Sequence, residues 1–330
     1  MTLIAAILGL ALWGAQPEAN DADPYAIDAM LAGGTGDGLR VQAGGVDPLI
    51  ADLCSDASVT MVETGRRITE AELGACLSRG VGRISEIPLG IEALILAQAG
   101  NVADDMEGME GLGFGLDLRE LFLASALLIP EDDACTLVPN PHTRWSDVRT
   151  GLPDRPIRIF GPGPGERARQ QFIDRALIEG ARQIDCLAEL ERRDPAAFVR
   201  ATLPRGDEVW LEIDGTGANL AGVLARSRGA IGIVGWQQFN TQPGLRALAL
   251  GGVVPNQTTL GLGRYPLSQA RYLYTTPEGL QDPSVQRLLV EGTRPGTTRP
   301  VRHYGTGNGA PVSEIVETSR SRVRVYRAPE

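Results

Sequence analysis

PIRIFGPGPGERARQQFIDRA, residues 156–176, reads as an apolar strand ending at Phe160, a glycine loop and the start of a helix. The chain holds five glycine-rich motifs: GTGDG (34–38), GLGFG (111–115), GPGPGE (161–166), GTGAN (215–219) and GTGNG (305–309). Only GPGPGE both follows a strand and opens a helix. That setting suits an anion, because the first N–H groups of a helix lack partners and the helix dipole favours negative charge. The loop lacks the G-x-G-x-x-G spacing of a dinucleotide site, and Pro162 and Pro164 remove donors and stiffen it. A structural turn is the competing reading. Arg169 lies one turn into the helix, where its planar fork suits a tetrahedral anion. Since Arg167, Arg175 and Arg182 share the segment, a solvated basic face is the alternative there.

Working outward, strands and helices alternate. LRVQA (39–43) reads as a short strand, and Thr69 with Glu72 forms a T-x-x-E capping box for a helix to about Ser78. RISEIPLGIEALILA (83–97) reads as a long buried strand broken by Pro88, and LDLRELFLASALL (116–128) as an amphipathic helix. After the glycine loop one helix is expected to about Ala188, with further helices at 195–202 and about 216–226. GAIGIVG, LRALAL and RYLYTT read as strands, 282–292 as a helix, and the terminal VRVYR as an edge strand. This order predicts an α/β protein with mainly parallel sheets.

The length of 330 residues favours two domains, and 43% hydrophobic with 22% charged residues is ordinary for a folded chain. The net charge is −10 and every basic residue is Arg. An acidic chain without a Lys/Arg block is a poor partner for nucleic acid. Absence of Lys excludes Schiff-base chemistry, pyridoxal attachment and a P-loop. With only His142 and His303, His-rich metal sites and most His-driven acid–base schemes are disfavoured. The acidic runs 104–110 and 131–133 lack the alternating order of a calcium loop, and no G-x-S-x-G is present. No catalytic residue, cofactor or metal is expected, and the chain reads as a non-enzyme.

Leu3 to Ala15 form a thirteen-residue apolar stretch followed by the acidic QPEANDAD. It is short for a transmembrane helix and suits a signal peptide, residues 1–15, with an uncleaved anchor or a buried helix as alternatives. After cleavage no stable membrane span is expected. The four cysteines, Cys54, Cys76, Cys135 and Cys186, allow three pairings, and four separate buried thiols are the alternative. Pairing Cys54 with Cys76 would tie a strand region to the following helix, and Cys135 with Cys186 a loop to a helix end. Both suit an oxidising compartment.

Several stretches together resemble the PstS-type phosphate-binding proteins, the periplasmic receptors of phosphate ABC transporters. Residues 51–98 resemble the family run that contains "DIANASRPI" and "EIPVAYDGIAVVV". Residues 156–176 resemble "I-VYGPPPTSGTRDAFVEL", and RGAIGIVGWQQF with LRALALGGVVPNQTTLGLGRYPLSQARYLY resembles a third run ending in "YPLSRPLYIY". Together these cover about half of the chain in matching order. The resemblance implies a type II periplasmic-binding-protein fold, with two α/β lobes joined by two crossover strands and a ligand in the cleft. One crossover falls near Ala93 to Gln98 and the other after Gly235. Residues 16–95 plus 236–330 then form a discontinuous lobe I, and residues 96–235 form lobe II.

Carried over position by position, the pocket is altered. Thr64 stands for the family's Ser, and Glu92 for its proton-accepting Asp. Of the "TSGTR" loop only Arg169 is retained, with Gly165, Glu166, Arg167 and Ala168 at the other positions. The N-terminal "GSST" strand is not found, and the "STGTGGG" turn reads QAGGVDP. Phosphate would lose at least three hydroxyl donors. At about 1.5–3 kcal/mol each, that is about 4–9 kcal/mol, comparable to the whole free energy of a micromolar complex, about 8 kcal/mol. The expected function is a periplasmic binding protein for phosphate or another small anion or polar solute, with an ABC permease or another envelope protein as partner. The alternative is a non-transport interaction scaffold.

Overall fold

The computed structural model describes residues 39–41, 48–100, 116–213, 219–227, 229–283, 285, 300–307, 310–319 and 322–327. The apolar stretch 3–15, the motifs at 34–38 and 111–115, most of QAGGVDP, the acidic run 104–110, residues 215–218 of GTGAN, the end of GTGNG and nearly all of the expected helix 282–292 lie outside them.

The strand β3, Arg83–Ala99, organises the sheet. Along residues 83–93 it pairs antiparallel with β10 (Ser268–Thr275) and β11 (Pro300–Gly307). From Leu94 onward its partners become β8 (Ile231–Gly235) and β9 (Leu245–Ala247). Pro88 does not break the strand. The register shifts there, Arg271 standing opposite Gly90 and Tyr272 opposite Pro88, so a bulge takes up the missing N–H. Gly90, at φ 137°, has the left-handed backbone that this bulge needs.

On one side, β10 also pairs with β2 (Met61–Thr64), which pairs parallel with β1 (Leu39–Val41). On the other, β6 (Ile159–Pro162) lies parallel to β7 (Trp210–Ile213) and β8. β12 (Ala310–Ser319) and β13 (Arg322–Arg327) extend the sheet from β11, so VRVYR does end it as an edge strand. A separate hairpin joins β4 (Leu128–Pro130) to β5 (Leu137–Pro139). The expectation of mainly parallel sheets is corrected: among the described strands three pairings are parallel and eight antiparallel. The two long strands β3 and β10 and the terminal hairpins account for the difference.

Among the described residues two apolar clusters are buried. One gathers Ile50, Leu53, Val62, Leu73, Ile84 and Tyr274 under α1 (Pro48–Ser55) and α2 (Glu70–Ser78). The larger one packs Leu94 and Leu96 of β3 with Phe122 of α3 (Leu118–Ser125), Trp145, Phe172 and Trp210. The helix after the glycine loop runs as α4 (Arg167–Phe172), a π-helical turn at Ile173–Ile178 and a last turn at Glu179–Ala181. It stops there rather than near Ala188, because Ile184 takes extended backbone, φ −110° and ψ 112°, and opens a separate helix; Gly180 meanwhile packs close on α3, where a Cβ would lie 2.2 Å from the Leu118 carbonyl oxygen. The chain restarts as α5 (Asp185–Arg193) and, after Asp194 caps Pro195–Ala201, α6. The helix expected from about 216 is described from Leu220 to Arg226.

Both disulfides are formed, Cys54–Cys76 and Cys135–Cys186, with Cα separations of 4.8 and 5.4 Å. They bridge sequence separations of 22 and 51 residues, for which loop-closure entropy gives about 3 and about 4 kcal/mol. Replacing Cys135 and Cys186 together by Ser is therefore expected to lower the thermal midpoint more than replacing Cys54 and Cys76, as measured by calorimetry.

The capping box at α2 is present in full. The Thr69 side chain accepts from the Glu72 N–H, and Glu72 accepts from the Thr69 N–H at 2.8 Å. Arg66 adds a bidentate pair to Glu72 at 2.9 and 2.6 Å, and with the Thr69 donors it lowers the Glu72 carboxyl from 4.5 to about 2. A depressed carboxyl stabilises the fold above its unfolded value, and that contribution is lost as pH falls through the folded one. Glu72→Gln should cost about 1 kcal/mol at neutral pH, typical of a cap in a screened setting. It should also flatten the stability profile between about pH 4.5 and 2, as read by urea titration.

Candidate ligand-binding cleft

Charge enters the sheet on the inward side of β2 and β10. Glu63 of β2 stands opposite Leu273, and Arg271 is its diagonal neighbour on the same face. Both side chains are almost fully buried, at 5% and 4% exposure. The Arg271 Nε donates to Glu63 Oε1 at 2.5 Å, and its Nη2 approaches the same oxygen. From the opposite wall Arg167, the first residue of α4, donates Nη1 to that oxygen at 2.9 Å. Glu92 on β3 lies beside this group, its Oε2 3.7 Å from the Arg271 Nε. A buried carboxylate is tolerable only when paired and hydrogen-bonded, and Glu63 is held by two guanidinium groups from two elements.

These residues line a cleft of about 40 Å³, room for about three water molecules. Thr64, Gly65 and Gln269 complete the sheet side; Gln170, Gln171 and Asp174 complete the helix side. The Gln171 Nε2 donates to the Leu267 carbonyl at 3.1 Å and to the Glu92 carbonyl at 3.4 Å. Its Oε1 is buried and accepts no hydrogen bond among the described residues. Burial raises the Asp174 carboxyl above its ordinary value, opposed by the Gln170 amide that donates to it at 2.8 Å. The Thr64 hydroxyl is turned away from ligand duty, because it donates to the Arg66 carbonyl at 2.6 Å.

Of the seven residues singled out in the sequence, Thr64, Glu92 and Arg167 meet in this cleft. Gly165, Glu166, Ala168 and Arg169 are not among its lining residues. Gly165 supplies the φ of 81° that turns the loop into α4, and Ala168 packs on the larger core cluster. The Glu166 carboxylate folds back to accept the Gly163 N–H at 2.9 Å. Arg169 reaches back as its position suggested, but onto protein acceptors: the Pro162 carbonyl at 3.0 Å and Glu212 at 3.3 Å. Its guanidinium lies 5.3 Å from the centre of the Trp210 ring. Gly161 is required for this stack, since a Cβ there would lie 2.3 Å from the ring.

Glu63 and Arg271 went unnoticed in the sequence, along with the glutamines and Asp174. Their signal is a charged residue inside an apolar strand, as in MVET and RYLYT, where alternation points the charge inward.

The PBP superfamily domain description matches residues 11–289 of the chain. Protein SphX of Synechococcus elongatus is 21% identical over 242 residues, covering 71% of this chain; the alignment spans 58% of that protein's length. The crystal structure of a possible phosphate binding protein from Planctomyces limnophilus is similar at a TM-score of 0.52, with 22% identity and 74% of each chain covered. PstS from Borrelia burgdorferi aligns at a TM-score of 0.44, with 14% identity over 74% of this chain and 76% of that one.

The cluster's energetics separate it from surface pairs. Arg271→Ala removes one of the guanidinium groups that hold the buried Glu63 carboxylate, and is expected to cost about 3–5 kcal/mol in urea unfolding. Glu212→Ala removes the exposed partner of Arg169 and should cost at most about 1 kcal/mol in the same measurement.

Proposed function

Since the chain belongs to the PBP superfamily and has a type II periplasmic-binding-protein fold, we propose that it is an exported solute-binding protein whose cleft, remodelled from that of a phosphate receptor, captures a very small polar solute. In this reading residues 16–95 with 236–330 form one lobe and residues 96–235 the other. The exchange of β3 partners between Ala93 and Leu94 supports the first boundary of that division, whereas β9, beyond the second, still pairs with Ala97–Ala99. Glu63, Thr64, Glu92 and Arg271 then belong to one wall, and Arg167, Gln170, Gln171 and Asp174 to the other. A solute bridging two lobes stabilises their closed arrangement through its differential affinity for it, and a permease reads that arrangement.

The observation that carries the reading is the buried Gln171 Oε1, an acceptor in the cleft wall without a donor among the described residues. An unmade buried hydrogen bond is costly, and a solute bringing an N–H or O–H would complete it. Phosphate in its protonated form, another small anion and a small polar molecule are the candidate ligands. The periplasm is the proposed compartment and an ABC permease the proposed partner; among the described residues no helix is long and apolar enough to cross a membrane.

The alternative reading, an envelope interaction scaffold, is favoured by β11–β13. These strands lie beyond the residues matched to the family and extend the sheet through β11.

Calorimetric titration and thermal unfolding with phosphate, sulfate, urea, glycerol and methylammonium test the first reading. At least one solute should give saturable heat and raise stability, by about 2.7 kcal/mol at a hundredfold excess over Kd. Gln171→Leu should abolish both effects. No heat and no thermal shift with any of the five contradicts solute capture.

A further inference from the structure

We propose that Glu63 is a built-in anion: its carboxylate occupies, between Arg167 and Arg271, the place that a bound oxyanion would take, and so restricts the cleft to neutral or cationic solutes that bring hydrogen-bond donors. This inference rests on reading the cleft as a solute site and concerns what that site refuses.

The geometry carries it. One oxygen, Glu63 Oε1, receives hydrogen bonds from guanidinium groups on two separate elements, α4 and β10. Guanidinium groups converging on an oxyanion are a common protein receptor for carboxylate or phosphate, and here they converge on one carboxylate oxygen. Here the acceptor is covalently part of β2, so a free anion competes with a tethered one at high effective concentration. Displacing it would also require moving a carboxylate that is 5% exposed away from its two partners.

The same substitution of protein for ligand recurs in the glycine loop. The Gly163 N–H, a donor of the kind that loops of this type offer to anions, is taken by the Glu166 carboxylate. Arg169, the remaining basic residue at that end of α4, is held by the Pro162 carbonyl, Glu212 and the Trp210 ring. Arg167, Arg169, Arg271 and the Gly163 N–H therefore each already have an acceptor from the protein. Among the cleft side chains the carboxylates of Glu63, Glu92 and Asp174 stand against the guanidinium groups of Arg167 and Arg271. The buried Gln171 Oε1 adds an acceptor. A site with this balance attracts donors and repels anions.

Glu63→Ser removes the tethered carboxylate and opens space between the two arginines; Glu63→Gln is the near-isosteric companion in case the first variant does not fold. Sodium phosphate and sodium sulfate are titrated into each chain at constant ionic strength, with heat and thermal midpoint as readouts. The wild-type chain should show neither heat nor a shift specific to these anions over chloride. Glu63→Ser, and more weakly Glu63→Gln, should bind phosphate or sulfate at least about tenfold more tightly than the wild type. Adding Arg167→Ala to either variant should remove the gain.

Micromolar phosphate binding by the wild-type chain overturns the proposal. So does a folded Glu63 variant that binds neither anion better than the wild type. Neither outcome is the one that contradicts solute capture, which is silence of the wild-type chain toward every solute of the panel. Anion binding gained by a Glu63 variant of a chain silent toward that panel would leave the built-in anion standing and remove only its solute.

Discussion

The backbone of β3 must find partners along seventeen residues, and it does so by changing them halfway. Up to Ala93 it is paired with β10 and β11; from Leu94 with β8 and β9. Every other strand of the larger sheet is placed by this exchange, directly or through one or two neighbours. A strand shared in this way leaves a cleft where the partners change, and Glu92 lies one residue before that point. The bulge at Pro88 lets the strand continue to the exchange without an unsatisfied backbone group in the core.

Around that cleft the protein has supplied its own counter-ions. The acidic excess of the composition reaches the interior as Glu63 and Glu92, and Glu63 is balanced by Arg271 from the paired strand and Arg167 from the facing helix. A buried cluster of this kind adds little net stability over an apolar one of equal shape, but it is costly to break. It links β2 to β10 and ties α4 to the sheet. Glu166 does the same on a smaller scale within the glycine loop. Arg167, Arg169, Arg271 and the Gly163 N–H are thus bonded to acceptors of the same chain.

Local features were legible in the sequence because they depend on neighbours in the chain. The Thr69/Glu72 capping box, the strand–loop–helix run 156–176 and the long apolar strand from Arg83 all follow from spacing and side-chain type. The fold class was legible through resemblance spread over several runs. Strand direction was not, because alternation and apolar runs say nothing about which strand pairs with which. Pro88 looked like a break because the bulge that absorbs it is made jointly with Arg271 and Tyr272, nearly two hundred residues away. The helix expected to run to about Ala188 ends at Ala181 because Ile184 takes extended backbone. Of the residues that the resemblance singled out, Thr64, Glu92 and Arg167 line the cleft. Glu63 and Arg271 needed the β2–β10 register, and the fate of Arg169 was decided by Trp210 on a strand that no local pattern connects to it.

A crystal structure of the wild-type chain determined from crystals soaked in concentrated sulfate tests the central claim most directly, since the density between Arg167 and Arg271 reports what those two side chains hold. The account predicts the Glu63 carboxylate in that place, with Oε1 bonded to both arginines and no oxyanion between them. A sulfate bridging Arg167 and Arg271, with Glu63 rotated out of the cleft, would contradict it.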